Sequence, residues 1–398
     1  MTIKGEYTCI FGGGAVRGLA YIGAIKALKE LNLDIRTLVG SSVGSIVASF
    51  LAVGYNAEEI KELLFDVSFD LFKDIHFSIN KQIALSKGNI FTDWVRECIE
   101  KKYYGDKYNK GKNKPVLFKH LKKNLIVLTT DLNTFKPFEF SNFETPDYEI
   151  ATAVRISCSM PGLMTPVEIE DKKLVDGDLL KGIPLWKLSK NIVKSNNRVL
   201  EFRLEGDTVN HEGNTFDFLN SIYSCMTGVS TDFIIDIYGE NDKYDYVKIT
   251  TGDTIVIDFN MTKEGREDLV RIGYNDSISC LTKECVNKKL KISVYYEQII
   301  KFLSELIRCL KYNDVNKTED VLKDMFIFMS DAYRFIDPDI NESIWTLKND
   351  ILNAEKVKSW FKGKKYKYKN KYITQSVIIQ KVLNVKLLEL KDYVQHIG

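Results

Sequence analysis

The chain has 398 residues, of which 44% are hydrophobic and 28% are charged, and its formal net charge is +2. This composition is typical of a globular protein that can build a large core, and the nearly neutral charge excludes a protein that binds polyanions through its overall charge. No apolar run reaches the roughly 18 residues that span a bilayer, and the N-terminus MTIKGEYTCIF lacks the apolar segment of a signal peptide. We expect a cytoplasmic protein.

The seven cysteines are scattered along the chain, and their number is odd. Without a CxxC pair or a secretory signal, free buried thiols in a reducing compartment are their expected state. Cys280 and Cys285 are too far apart for a CxxC pair, and no second pair accompanies them. The sequence therefore predicts no zinc site.

The first sixty residues alternate between strand and helix patterns. Tyr7–Phe11 predicts a short strand, and after three glycines apolar residues recur at helical spacing from Leu19 to Leu31. Arg36–Val39 predicts a second strand, and the apolar residues from Ile46 to Leu51 predict a second helix. This βαβα order predicts a parallel sheet with crossover helices.

Both patterns continue to about residue 285, and helical periodicity dominates beyond it. Further strands are predicted at Leu125–Thr129, Phe138–Phe140, Lys173–Val175, Val199–Leu204, Tyr246–Thr250 and Ile255–Phe259. Further helices are predicted at Phe91–Lys102, Thr215–Tyr238, Lys263–Thr282, Lys289–Tyr312, Lys317–Phe335 and Ser376–Val394. We expect an α/β domain over residues 1–285 and a mainly helical region of unknown role over residues 286–398.

The segment Gly40–Gly44, GSSVG, reads G-x-S-x-G between a predicted strand and a predicted helix. A sharp strand-to-helix turn exposes its central side chain, and the flanking glycines let neighbouring backbones approach closely. The central residue is Ser42, and the positive end of the following helix stabilises an anion formed there. The segment predicts a nucleophilic serine, or else a glycine-rich helix cap without chemistry.

The loop Gly12–Gly18, GGGAVRG, also lies between a strand and a helix. A dinucleotide loop would need G-x-G-x-x-G, and here Arg17 occupies the position of the third glycine. Three successive glycines can instead point backbone N–H groups at one oxyanion. Arg17 can hold this loop or attract an anionic substrate.

A serine nucleophile needs a base within hydrogen-bond reach, and the chain has four histidines in unpromising contexts. They are His76, His120, His211 and His396. Asp176 follows a short predicted strand and precedes Gly177, so it is a better candidate, with Asp178 as the second choice. An Asp-Gly turn between two strands would explain the same residues without chemistry.

Together these segments resemble the patatin-like phospholipase family. FGGGAVRGLAYIGAIKALKEL resembles its oxyanion segment, LVGSSVGSIVASFLAVGY its nucleophile turn, and AVRISCSMPGLMTPVEIEDKKLVDGDLLKGIP the segment that ends in its Asp-Gly-Gly motif. The resemblance implies an α/β fold of three layers, with a mainly parallel central sheet flanked by helices. It also implies a lipid acyl hydrolase that needs no metal or cofactor.

Carried onto this sequence, the resemblance implies Ser42 as the nucleophile and Asp176 as the base of a Ser–Asp dyad. It implies the amides of Gly12, Gly13 and Gly14 as the oxyanion hole. The substrate would be a phospholipid, a lysophospholipid or a neutral lipid.

Two departures from the family pattern bear on activity. The motif reads Asp-Gly-Asp, because Asp178 replaces its second glycine, and Gly182 replaces an asparagine that often follows. A silent lipid-binding or regulatory module on the same fold is therefore one alternative. Another is an α/β-hydrolase with a Ser–Asp–His triad that uses His211.

The segment 360–372, WFKGKKYKYKNKY, interleaves six lysines with five aromatic residues and contains no acid. Lysines attract anionic headgroups and aromatic side chains settle at headgroup level, so this segment predicts peripheral membrane contact. Phosphate contact and base stacking would also allow a nucleic acid, which we consider the weaker interpretation. An edge hairpin with one solvated face is the alternative without a ligand.

Overall fold

The computed structural model describes residues 6–67, 86–180, 198–206, 244–252, 254, 261–312, 314–332, 336–356 and 365–397. The strands are β1 (Glu6–Phe11), β2 (Asp34–Ser41), β3 (Asn124–Asp131), β4 (Lys136–Ser141), β5 (Val167–Ile169), β6 (Lys172–Asp176), β7 (Arg198–Glu205) and β8 (Tyr244–Thr250). The helices are α1 (Ala20–Glu30), α2 (Val43–Val53), α3 (Ala57–Phe65), α4 (Asn89–Tyr104), α5 (Ile150–Ser157), α6 (Lys263–Ser279), α7 (Cys285–Tyr312), α8 (Val315–Ala332), α9 (Pro338–Lys356) and α10 (Lys365–Ile397).

One mixed sheet contains all eight strands of the described residues, and helices flank it. Strands β3, β2, β1, β7 and β8 are neighbours in that order and run parallel. Strands β4 and β6 pair antiparallel with β3, and β5 continues the sheet beyond β6. The protein therefore has the predicted α/β fold with a mainly parallel central sheet.

Strand β3 changes its neighbour along its length. Its first half pairs with β2 as far as Leu128, which lies opposite Ser41. From Thr129 onward it pairs with β6, and Thr129 lies opposite Asp176. The end of β6 therefore meets the sheet directly beyond the end of β2.

Helices α1 and α6 cross at two glycines. A Cβ atom on Gly23 would lie 2.0 Å from the carbonyl oxygen of Val270, and one on Gly273 would lie 1.9 Å from that of Ala20. Only hydrogen at both positions lets the backbones come this close. The crossing packs α6, which lies near the end of the predicted α/β domain, against the first helix of the chain.

The described residues divide into two compact units, the first ending at Leu281 and the second starting at Thr282. The second unit is helical, and its core includes a stripe on α7 with spacings of three and four residues. The stripe comprises Ile292, Tyr296, Ile299, Leu303 and Leu306. The division into a domain over residues 1–285 and a C-terminal region over residues 286–398 stays a prediction.

The predicted elements in the described residues are confirmed with small shifts of their ends, except that α10 begins at Lys365, eleven residues before its predicted start at Ser376. Strand β5 and helices α3, α5 and α9 were not predicted. Helix α3 had a detectable start signal, because Asn56 and Glu59 form a capping box in which each side chain bonds the other's backbone N–H. The predicted strand Ile255–Phe259 and helix Thr215–Tyr238 lie outside the described residues.

The sequence did not predict the direction of β6 or a helix that starts within the segment 360–372. Strand β6 runs antiparallel to β3, so Asp176 reaches the carboxyl edge of β2 from the opposite direction. The alternative of an edge hairpin at 360–372 is contradicted from residue 365 onward, where α10 begins. The chain is helical there because the residues that follow have apolar side chains at helical spacing, and Tyr372, Ile379 and Leu383 are buried on one face of α10. None of the described helices is long and apolar enough to cross a membrane.

Gly273→Ala should lower the free energy of unfolding by about 1–3 kcal/mol, because the new methyl group forces α1 and α6 apart. Gly265→Ala in the same helix is the matched control, since its Cβ would meet side chains and no backbone, with Cγ of Met261 at 2.8 Å and Oγ1 of Thr262 at 3.6 Å. We expect the control to be neutral or slightly stabilising. Urea denaturation of both variants measures the difference, and equal midpoints would contradict the tight crossing.

Candidate active site

Ser42 occupies a strained turn between β2 and α2. Its φ is 51° and its ψ is −129°, a conformation that costs a non-glycine residue free energy. A Cβ on Gly44 would lie 2.0 Å from the carbonyl oxygen of Phe11, and one on Gly40 would lie 2.4 Å from that of Gly44. The two glycines thus let β2, α2 and the end of β1 meet, and this contact holds the turn in place.

Hydrogen bonds from outside the turn fix its backbone. The N–H of Ser42 donates to Oγ of Ser157 at 3.0 Å, and that hydroxyl donates to the carbonyl of Leu128 at 2.6 Å. The carbonyl of Ser42 accepts from the hydroxyl of Ser45 at 2.6 Å. Both polar groups of the Ser42 peptide are therefore occupied, while its side chain, 9% exposed, lines a cleft.

Asp176 is fully buried at the end of β6. Its Oδ1 accepts the N–H of Asp178 at 2.8 Å, and its own N–H donates to the carbonyl of Ser159. The next residue, Gly177, packs against the end of β2, because a Cβ there would lie 2.8 Å from Oγ of Ser41. The tertiary structure thus brings the Asp-Gly segment to the edge of the sheet where Ser42 lies.

The carboxylate of Asp178 lies in the glycine loop. It is 1% exposed, and its Oδ2 accepts the N–H of Gly13 at 2.9 Å. A Cβ on Gly13 would be 2.2 Å from this oxygen and 3.0 Å from Cβ of Ser42, so Gly13 lies between the two side chains. The N–H of Gly12 donates to Phe202 in the sheet, and Gly14 takes a φ of 151° that favours glycine.

A buried charged cluster underlies this loop. Nε of Arg203 donates to Glu201 at 2.6 Å, and Nη1 of Arg203 lies 3.9 Å from Oδ1 of Asp178. Burial opposes the charge of Arg203, but the carboxylates of Glu201 and Asp178 outweigh it and raise the pKa of the guanidinium. Tyr244 donates to Glu201, and Tyr21 donates to the carbonyl of Gly12. The Arg203 guanidinium beneath the loop therefore stays positively charged, with the carboxylates of Glu201 and Asp178 beside it.

An open apolar cleft leads to Ser42. Its volume is about 870 Å³ with its open mouth included. Apart from Ser42 and Arg266, the described residues that line it are apolar or carry a thiol, among them Val16, Phe91 and Trp94. Such a lining fits a hydrocarbon chain better than a polar ligand.

Cys158 lies in the same cleft as Ser42, with its Sγ 3.9 Å from Oγ of Ser45. Burial raises the pKa of its thiol, and the negative charge of Asp176 raises it further. Asp176 therefore acts electrostatically on the thiol of Cys158, a residue that lines the cleft. The expectation of free buried thiols is confirmed for Cys9, Cys98, Cys158, Cys280 and Cys309.

The other predicted residues lie apart from the reacting groups or outside the described residues. Nε of Arg17 donates to the carbonyl of Thr254 at 2.8 Å, which ties the glycine loop to the segment after β8. Nδ1 of His120 accepts the N–H of Leu117. His76, His211 and Gly182 lie outside the described residues, as does the side chain of His396. In the described ranges, no group of three or more His, Cys, Asp or Glu side chains could hold a metal ion.

The sequence analysis missed the residues that support this site. Ser157 gave no signal, because a lone serine in a helix resembles any other. Glu201 and Arg203 did leave one, since two charged residues two positions apart within an otherwise apolar strand indicate an internal ion pair. The sequence indicates their partner Asp178 as a second choice of base and as a departure from the family motif, and not as a neighbour of Arg203.

Parts of this chain are similar to known proteins. Residues 9–188 match the family model described as patatin-like phospholipase. Protein R571 of Acanthamoeba polyphaga mimivirus is 33% identical over 190 residues, which cover 46% of this chain and 61% of that protein. The probable lipid hydrolase 463L of Invertebrate iridescent virus 6 is 28% identical over 192 residues, covering 46% of this chain and 64% of that one. The chain thus spans about three fifths of the length of these relatives.

Among solved structures, VipD from Legionella pneumophila is similar with a TM-score of 0.46 and 16% identity. That similarity covers 98% of this chain and 91% of VipD.

Iodoacetamide should alkylate the buried thiols far more slowly in the folded protein than in urea at pH 8. Burial raises the pKa of both Cys9 and Cys98 to about 12, which leaves roughly one thiol in ten thousand ionised at this pH. The rate should rise with pH, because the thiolate forms only as the pH approaches the raised pKa. Peptide mass spectrometry measures the labelling, and rapid modification of Cys158 in the folded protein would contradict its environment.

Proposed function

Because residues 9–188 belong to the patatin-like phospholipase family, we propose that this chain hydrolyses fatty-acyl esters of lipids with Ser42 as its nucleophile. The observation that carries the proposal is the position of Ser42. Its side chain lies in a strained turn on the wall of an apolar cleft, directly beside the peptide of Gly13. A nucleophile, a pocket for an acyl chain and a backbone donor therefore occupy one place.

In this proposal Asp176 is the general base. Its carboxylate is buried at the edge of the sheet beside the Ser41–Ser42 turn and is oriented by the N–H of Asp178. A positioned carboxylate can accept the hydroxyl proton directly, so the mechanism needs neither a histidine nor a metal. A triad with His211 has no supporting observation among the described residues.

The oxyanion donors in the proposal are the N–H groups of Gly13 and Gly14. The N–H of Gly12 is left out, because it already donates to the carbonyl of Phe202 at 3.2 Å. The N-terminus of α2 adds its positive dipole on the other side of Ser42. Developing negative charge would thus be met by fixed donors in a site that excludes most water.

The proposed reaction has two steps. Asp176 takes the proton of Ser42 while the serine oxygen bonds to the ester carbonyl carbon, and the tetrahedral oxyanion forms beside the glycine loop. The intermediate collapses to an acyl-serine, and the alcohol leaves with the proton from Asp176. Water then loses a proton to Asp176 and attacks the acyl-serine, which releases the fatty acid and returns the proton to Ser42.

The substrate class follows from the cleft and from the relatives. The apolar walls suit a fatty-acyl chain, and the viral relative carries the name of a probable lipid hydrolase. We propose a phospholipid, a lysophospholipid or a neutral lipid as the substrate. A cytoplasmic protein with peripheral membrane contact suits such substrates, because they reside in lipid aggregates.

Membrane contact is proposed at the start of α10. The sequence there places four lysines and three tyrosines within Lys365–Tyr372. Lys371 is exposed, while Tyr372 is buried and its hydroxyl donates to the carbonyl of Asp350. Lysines clustered at one end of a helix attract anionic lipid headgroups, each contributing about 1 kcal/mol.

A second candidate function is a silent lipid-binding module. The observation that favours it is the hydrogen bond from Gly13 to Asp178, since a carboxylate there occupies a donor that the reaction needs. Hydrolysis assays separate the two candidates, because a silent module binds lipid without releasing fatty acid.

Ser42→Ala should lower fatty-acid release by at least about 10³-fold, because it removes the attacking oxygen. The assay uses a panel of phospholipids, lysophospholipids and neutral lipids with quantification of the released acid. Asp176→Asn should cause a loss of similar size, since an amide does not accept the proton.

Ser41→Ala is the matched control for this series. Ser41 is adjacent in sequence, fully buried, and its hydroxyl bonds to no atom of the described residues. We expect its activity to stay within about threefold of the wild type. Turnover by Ser42→Ala equal to that of the wild type would refute the assignment.

Replacement of Lys365, Lys367 and Lys369 by Gln should weaken binding to anionic vesicles roughly tenfold or more and leave binding to neutral vesicles unchanged. Co-sedimentation with vesicles of stated composition at low and high salt measures this. Replacement of the exposed Lys311, Lys317 and Lys323 is the matched control for loss of charge. Binding that ignores lipid charge and salt would contradict the proposed contact.

A further inference from the structure

We propose that Asp178 occupies the oxyanion donor of Gly13 in the substrate-free protein and moves to Arg203 when the ester is attacked. Asp178 would thereby limit the rate of acylation. The proposal deepens the proposed function and rests on Ser42 being the nucleophile. It assigns a reaction role to a residue that replaces a glycine of the family motif.

The side chain of Asp178 reaches the glycine loop. Its Oδ2 accepts the N–H of Gly13 at 2.9 Å, although the two residues are 165 positions apart in the chain. Gly13 is also the loop residue that approaches Cβ of Ser42. A tetrahedral oxyanion formed on Ser42 would therefore need the hydrogen that Asp178 now holds.

The Asp178 carboxylate and the tetrahedral oxyanion would compete for the N–H of Gly13. A backbone N–H carries a single hydrogen, and a charge-assisted bond to a carboxylate is about twice as strong as a neutral one. Removal of one oxyanion donor typically lowers kcat by about 10²–10³-fold. Hydrolysis with Asp178 in its observed position would lose much of this stabilisation.

Arg203 offers the Asp178 carboxylate a second partner nearby. Nη1 of Arg203 lies 3.9 Å from Oδ1 of Asp178 and hydrogen-bonds to no atom of the described residues. Arg203 is 3% exposed, and its Nε is already held by Glu201. A shift of about 1 Å would bring the carboxylate into hydrogen-bond range of Nη1 and release the N–H of Gly13.

The backbone N–H of Asp178 binds Asp176 independently of the Asp178 side chain. The N–H that orients Asp176 belongs to the peptide, so a glycine at this position would keep that bond. Replacement by glycine therefore removes only the carboxylate. The dyad and the Arg203–Glu201 ion pair stay in place.

The test compares Asp178→Gly and Asp178→Ala with the wild type on p-nitrophenyl butyrate, a soluble acyl ester that needs no lipid surface. Both variants should raise kcat at least about tenfold with KM changed by less than about twofold, because the freed donor acts in the transition state. Asp131→Gly is the matched control. Asp131 is a buried carboxylate that accepts the N–H of Asn133, and its loss should not raise kcat.

Equal or lower kcat in both folded Asp178 variants would overturn the proposal. The double variant Asp178→Gly with Ser42→Ala must lose the gained activity, since otherwise the gain does not pass through Ser42. Turnover by Ser42→Ala equal to the wild type would overturn the proposed function. Ser42-dependent hydrolysis that is unaffected by Asp178→Gly would overturn the role of Asp178 alone. If none of the proteins hydrolyses any ester, both proposals fail.

A measurement on the wild type tests the movement without any variant. Reaction with a p-nitrophenyl phosphonate would leave a tetrahedral phosphorus on Ser42, and a crystal structure of the adduct shows where Asp178 lies. We expect Oδ1 within about 3.2 Å of Nη1 of Arg203 and a phosphonate oxygen on the N–H of Gly13. An Asp178 carboxylate still bonded to Gly13 in the adduct would overturn the proposal.

Discussion

The contact between Gly44 and the end of β1 governs the geometry of the candidate site. Because the carbonyl of Phe11 lies where a Cβ on Gly44 would be, the first turn of α2 rests directly on the last residue of β1. The chain leaves β1 into the glycine loop at the same point. One backbone contact therefore sets both the strained turn at Ser42 and its distance from Gly13. The strain is sustained by the surrounding sheet, whose strands are buried throughout this region.

The change of neighbours along β3 brings the second half of the site together. Parallel pairing with β2 ends at Leu128, and antiparallel pairing with β6 starts at the next residue. Ser157 ties these layers together, since it bonds the Ser42 peptide on one side and the Leu128 carbonyl on the other. Asp176 is held by its pairing with Thr129 of β3 and by its N–H, which donates to the carbonyl of Ser159 just after α5.

The buried charges beneath the glycine loop give the site an unusual electrostatic background. A lone buried Arg203 would be strongly unfavourable, and its two carboxylate neighbours compensate the lost hydration. The same arrangement places Oδ2 of Asp178 at 2.9 Å from the backbone nitrogen of Gly13 and its Oδ1 at 3.9 Å from Nη1 of Arg203. The burial of these side chains strengthens their interactions, because charges are screened less in the interior than in water. A single carboxylate can therefore influence how easily negative charge develops at Ser42.

The sequence by itself determined most of the described strands and helices, the place of Ser42 between its glycines, and the resemblance to a known family. These features are local, since a strand, a tight turn and a helix are each encoded within a few adjacent residues. The tertiary structure alone decided that β6 runs antiparallel, that Gly12 is engaged in the sheet, and that Asp178 reaches Gly13. Each of these depends on pairing between segments more than a hundred residues apart or on the packing of one side chain. Neither leaves a pattern in a single sequence, because many distant pairings are compatible with the same local preferences.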